Sequence, residues 1–278
     1  MNFKRFISAL LCVILSVSFL FLFGCADGNT DVTTTKADGE AVTESVSENA
    51  MENVTAAEIP SASDETSTQA AEEIKAPETV EEIVAYFNAS ANRIKTEATK
   101  VTKNWEKRYV DLDKLIVPSV LESTAKSMMS TFMKDDTEPI IYDTREEIVS
   151  EYIVPDQNYV SKLTPDAVTE AKCTDKGDTY EIFIRLKAEK NPTAGKGVGS
   201  VCDVIEAHEI AEKAPSMLEE MSTNYSNCTV TAVIDKESGR VISSVYSTPL
   251  VMYMKVNLFG THVVQAAITF TKDYTIEY

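Results

Sequence analysis

His208 and Glu209 open a zinc-protease signature that the chain does not complete. The helix His-Glu-x-x-His binds zinc through two imidazoles one turn apart, and here the second position is Glu212. With one histidine the site is a ligand short, so no metal is expected. The glycine-rich segment 191–200 (NPTAGKGVGS) has the composition of a phosphate loop but not its order. Lys196 is followed by Gly197 where a phosphate loop needs Ser or Thr, and the spacing G-x-G-x-G misses the dinucleotide fingerprint. It reads as an exit from a strand into a helix near 201–213. His262 is the second and last histidine, and no G-x-S-x-G elbow accompanies it. Catalysis would need Asp156, Asp166 or Asp203 to converge on His208 or His262 in a cleft. The expectation is therefore a non-enzyme without cofactors.

The softer chemistry lies in sulfur and aromatic rings. Cys173, Cys202 and Cys228 follow the N-terminal segment; being three, they allow at most one internal disulfide, and spacing alone does not choose the pair. Met252 and Met254 alternate along one predicted strand. Together with Phe87 and Trp105 on a predicted helix they form the candidate contacts for an apolar ligand, since methionine adapts to irregular partners. Ordinary core filling is the competing reading of all four.

Lys4 and Arg5 precede an apolar run over 6–23 that ends in Leu22-Phe23-Gly24-Cys25, the build of a secretory signal. This segment resembles the lipobox of bacterial lipoproteins: an aliphatic residue at −3, a small one at −1, then cysteine. Phe23 at −2 departs from the usual choice. The resemblance implies that the Cys25 thiol receives a diacylglycerol and that residues 1–24 are removed as a signal peptide. An uncleaved anchor helix is the alternative, and either reading places the rest outside the cytoplasm. Residues 25–77 follow as a tether. After Cys25 it holds twelve acids against Lys36 and Lys75 and no aromatic residue, too little apolar surface to offset the entropy of ordering. Random-coil scaling gives it a span of about 40 Å. A long polar tether of this kind is similar to those of Gram-positive surface lipoproteins. The net charge of −18 disfavours nucleic acid, and membrane attachment is expected through the lipid.

From 78 onward the composition suits a single domain. A long helix is expected over 78–108, capped by Thr79 and Glu82, with the stripe Val80, Val84, Phe87, Ala91, Ile94, Ala98, Val101, Trp105. A second helix is expected over 118–134 and a third over 144–151, where Thr144 and Glu147 repeat the capping spacing. Turn chemistry then marks three hairpins: 168–173 with 179–187, 228–234 with 240–246, and 250–258 with 262–274. The fold class expected is α+β, helices first and then a curved antiparallel sheet of about six strands covered by the long helix.

That outline is loosely similar to the LolA/LppX-like group of lipid carriers, which implies a helix-covered half-barrel but carries over no residue. The segment Val160-Ser161-Lys162-Leu163-Thr164-Pro165-Asp166 and the Cys173 hairpin resemble clostridial surface lipoproteins, which implies location. The functional expectation is a lipid-anchored, non-catalytic binding domain for a protein or cell-wall partner. A carrier or sensor of an apolar small molecule is the alternative, and a hydrolase a remote one.

Overall fold

Local signals set the first helix as expected. Thr79 accepts from the Glu82 amide at 3.2 Å while the Glu82 carboxylate accepts from the Thr79 amide at 3.0 Å, closing a capping box at the start of α1 (Val80–Glu97). Ile83, Val84, Phe87, Ala91 and Ile94 form its buried stripe. The computed structural model describes residues 76–119, 122–123, 125, 133–213, 218–257 and 260–278, all within one unit of the fold. The expected helix over 118–134 falls mostly outside the described residues.

The α+β expectation fails from Ala98 onward. Ala98 turns to extended backbone (φ −61°, ψ 136°) and donates back to the Ile94 carbonyl, ending the helix eleven residues early. The next segment is β1 (Lys100–Ile116), so Val101 and Trp105 belong to a strand. After it come β2 (Ile140–Tyr142), α2 (Arg145–Glu151), β3 (Val168–Asp175), β4 (Thr179–Leu186), β5 (Glu189–Lys190) and α3 (Ala207–Lys213). The chain then runs through β6 (Leu218–Tyr225), β7 (Thr229–Asp235), β8 (Val241–Asn257) and β9 (Thr261–Glu277). Nine antiparallel strands form one sheet, in the order β2-β1-β9-β8-β7-β4-β3, with β6 added to β8 and β5 to β6. The protein is thus mostly one large sheet with three modest helices among its described residues, not a long helix laid on six strands.

Three physical causes hid this from the sequence. The strand signal of β1 is masked because its inward side chains Lys103 and Glu106 are charged. A register shift between Lys103 and Trp105 puts one extra residue in β1, so Lys103 (opposite Tyr274) and Glu106 (opposite Lys272) face the same way. They then pair at 2.9 Å. In β6, a shift between Leu218 and Glu220 leaves Leu218 and Met221 both inward, a three-residue step that mimics a helix. The two segments 240–246 and 250–258 are one strand, β8, running through Pro249. Proline is barred where a strand must donate on both sides, but Pro249 stands at a fork. β7 leaves β8 at Ser247, and β6 joins it at Leu250.

The sheet has two unlike faces. The inner face carries Ile182, Ile184, Val230, Ala232, Tyr246, Leu250, Ile268 and Tyr274, all buried in the core with the stripe of α1. Asn92 fixes the loop beside α1: its amide donates to the Ser161 carbonyl at 2.8 Å, and its oxygen accepts from the Val160 and Ser161 amides at 2.8 and 2.9 Å. Tyr152 packs edge-on against Tyr274, with ring centroids 4.9 Å apart, and shares a hydrogen bond with Ser244.

Candidate functional site

Where β7 and β6 diverge from β8, the inner face opens into a small cleft. Tyr246, Thr248 and Leu250 give its floor from β8, Phe270 and Lys272 from β9, Glu106 from β1 and Tyr225 from β6. Cys202 and Asp203 form one wall. The space open to a water-sized molecule is about 30 Å³. That is room for water or a small ion and far below the several hundred Å³ that organic ligands occupy.

Glu106 is the electrostatic centre. Its carboxylate accepts from Lys103 Nζ at 2.9 Å and from Arg108 Nε at 3.0 Å, while Arg108 Nη2 reaches Asp136 Oδ2 at 2.6 Å. The segment holding Asp136 is locked to β1 by an isolated bridge, with reciprocal amide–carbonyl bonds between Glu106 and Asp136. Burial pushes the Glu106 carboxyl up, but Lys272, Lys103 and Arg108 outweigh it and hold the group below its ordinary value. A carboxylate so satisfied is a fixed anion, poorly suited to taking up a proton as a general base at neutral pH.

The glycine-rich segment is held by a carboxylate of the same chain. Glu189 Oε2 accepts from the Val198 amide at 2.7 Å, so an acid from β5 sits on the 3-10 turn Gly197–Ser200. Gly197 has φ +47°, and a Cβ there would meet the Glu189 carboxylate. A Cβ at Gly199 would lie 2.2 Å from the Thr193 carbonyl oxygen. These glycines permit close packing of a pinned loop, and the helix expected from 201 starts only at Ala207.

The anticipated acids and histidines do not assemble. Asp203 reaches the cleft, but neither histidine lines it. His208 lies at the surface, its Nε2 3.6 Å from Glu206 Oε2. With Glu209 these groups offer three ligand atoms within 4.8 Å of one another, a surface arrangement. Glu206 already accepts from the Ala194 amide. His262 stands opposite Val256 near the start of β9.

The four apolar candidates also part company. Phe87, Met252 and Met254 are packed in the core at 0, 3 and 2 % exposure, and none of them lines the cleft. Trp105, paired with Asp273, lies on the outer face of the sheet. Met221, expected on a helix, is in β6 opposite Met254. Cys25 lies outside the described residues. Among the described residues no helix is long and apolar enough to cross a membrane.

The outer face is the feature that sequence reading missed. Register places Trp105, Lys107 and Tyr109 of β1 beside Asp273, Thr271 and Thr269 of β9. Thr271 and Thr269 in turn face Ser247 and Pro249 of β8, and Gln265 faces Tyr253. Further along, Val245 meets Thr231, which meets Phe183 of β4. Apart from Ala267, these positions and their outward neighbours are half-buried or exposed, and Tyr109 is 65 % exposed. The period-two pattern of β8 and β9 was the available signal, once their full length was known. No protein-family model matches the chain, and no curated protein or solved structure resembles it significantly.

Proposed function

We propose that the chain is an extracytoplasmic lipoprotein, anchored at Cys25, whose domain binds a cell-envelope partner without catalysis. The observation that carries this reading is the outer sheet face. Aromatic rings at Trp105, Tyr109, Tyr253 and Phe183 stand among threonine, serine and glutamine hydroxyls and amides, with Lys107 and Arg185 at intervals. Rings with a polar edge supply contact area at low entropic cost, and short polar chains between them supply hydrogen bonds. That pairing suits the alternating apolar and hydroxylated faces of a sugar chain as well as a protein surface. A tether spanning about 40 Å would carry the face away from the bilayer toward the wall. A carrier of apolar molecules would need room beside Met252 and Met254, and both are tightly packed.

The test is co-sedimentation of the purified protein with Gram-positive peptidoglycan sacculi, before and after protease treatment of the sacculi. Binding that survives protease assigns a wall polymer, and binding lost to it assigns a protein. Tyr109→Ser with Tyr253→Ser should weaken either by tenfold or more, as expected for aromatic anchors of an interface. Undiminished binding by that variant would refute the outer face as the surface. Metabolic labelling with palmitate, absent in Cys25→Ala, tests the anchor separately.

A further inference from the structure

β2 and β3 close the two ends of the sheet, and they close them differently. β2 is three residues long, whereas β3 is eight, and among the described residues no strand pairs with its outer edge. The turn after β3 fixes which backbone groups that edge presents. Lys176 donates its amide to the Thr179 carbonyl at 2.9 Å. By antiparallel alternation Thr174, Lys172 and Glu170 then bond β4, while Cys173 and Ala171 aim their amides and carbonyls away from it. Among the described residues no backbone group takes up that side of Ala171 or Cys173. The side chains alternate too. Ala171 and Cys173 stand opposite the inward Ile184 and Ile182, and Glu170 and Lys172 opposite the outward Arg185 and Phe183. Glu170 and Lys172 are ion-paired with each other at 2.5 Å, and Lys172 is exposed.

We propose that a second copy of this chain adds to that edge, β3 against β3, antiparallel about a two-fold axis at Ala171. Outward-facing backbone must meet outward-facing backbone, so the axis passes through a residue and not between two. Charge then chooses among the residues. An axis at Glu170 or at Lys172 sets like charges directly opposite each other, which destabilises a pair of strands. An axis at Cys173 sets Lys172 against Thr174 and brings Glu170 only to Lys176, in the turn beyond the end of β3. At Ala171 each Glu170 opposes the Lys172 of the other copy, on both sides of the axis. A lone lysine on an edge strand ordinarily keeps partners away; here the same lysine matches the neighbouring acid of a second copy. The net charge of −18 does not prevent this, because salt screens charges more than about 10 Å apart and leaves the contacts at the edge to decide. Directly opposed residues share a face, so the outer faces of the two copies join into one continuous surface.

The test uses the full chain with Ala171→Cys in a Cys173→Ser background, oxidised with copper–phenanthroline and read on non-reducing gels and by tryptic mass spectrometry. In a hydrogen-bonded antiparallel pair the opposed Cα atoms lie about 5.5 Å apart, within disulfide reach. The expected species is a covalent dimer in which peptide 163–172 is joined to its own copy. Adding Lys172→Glu turns both attractive contacts into repulsive ones and should cut the yield of that dimer about tenfold or more. Adding Glu170→Lys to Lys172→Glu restores opposite charges across the axis and should restore the yield. Absence of the species, an undiminished yield with Lys172→Glu, or a loss that the double exchange does not rescue would each overturn the proposal. So would a dimer of the native chain joined through two copies of peptide 173–176, the mark of an axis at Cys173.

Discussion

Lys95 should make the stability of this domain rise with pH in a range where most proteins are flat or declining. The side chain is 2 % exposed on α1, and its ammonium donates to the carbonyls of Val149, Val154 and Gln157 at 3.2, 2.8 and 3.0 Å. No carboxylate forms a salt bridge with it among the described residues; Asp156 and Asp203 act only at longer range. Burial is the dominant influence and lowers the group from 10.5 to about 8. The folded state therefore releases this proton before the unfolded state does. Between about pH 8 and 10.5 the unfolded chain binds the extra proton, so raising the pH favours folding. The full gain is about 3 kcal/mol, at a slope approaching 1.4 kcal/mol per pH unit.

Lys95→Met removes the titration while keeping most of the volume. It also strips donors from three carbonyls, so its absolute stability is expected to drop. The informative quantity is the difference between the two proteins in urea unfolding, followed from pH 7 to 10. Cys228 and the buried tyrosines, whose values are raised, destabilise both proteins equally at the alkaline end. The stability of the native protein relative to Lys95→Met should rise by about 2 kcal/mol between pH 8 and 10. Parallel curves across that range would refute the reasoning, because they would mean that Lys95 keeps its ordinary proton affinity in the fold.

Three further outcomes are expected. Asn92→Ala leaves two amides and a carbonyl of the Val160–Ser161 loop without their partner and should cost about 2–3 kcal/mol, read as a fall in Tm of roughly 5–10 °C. Glu106→Gln leaves Lys103 and Arg108 buried with one carboxylate in place of two, at a cost of about 3 kcal/mol. Because the folded Glu106 carboxyl lies below its ordinary value, its contribution is complete above the unfolded value near 4.3 and is lost as pH falls through the folded one, so this variant should also show a shallower acid limb in urea titrations. Gly199→Ala places a methyl group 2.2 Å from the Thr193 carbonyl oxygen and should destabilise by about 2 kcal/mol or more, measured by thermal unfolding.

Elements specified by neighbouring residues were readable in the sequence. Thr79 with Glu82 and Thr144 with Glu147 mark helix starts because a capping box closes within four residues. The turn between β3 and β4 and that between β7 and β8 are likewise local, carried by Asp175-Lys176-Gly177-Asp178 and by Asp235 to Gly239. What escaped depends on partners far away. Lys103 and Glu106 read as solvent-facing until the extra residue in β1 turns both inward and each satisfies the other. Pro249 reads as a strand end until β7 and β6 are seen to share β8 between them. The cleft unites Glu106, Asp203, Tyr225, Tyr246 and Lys272, residues that no spacing rule links. Thr, Ser and aromatic positions of the outer face alternate with core residues, so their common surface became visible only with the registers.

The pairing of β1 with β9 has a consequence for how the chain matures. Lys100 opposes Glu277 and Val110 opposes Ile268, contacts separated by more than 150 positions. At ordinary synthesis rates of about 5–20 residues per second, β1 would wait roughly 10–30 s for its partner to emerge. Through that interval a long strand with buried-type charges stands open, and domains dominated by such distant pairings fold slowly. If the chain is exported, as proposed above, this topology would favour holding it unfolded until translocation is complete, since early collapse would offer β1 only wrong partners.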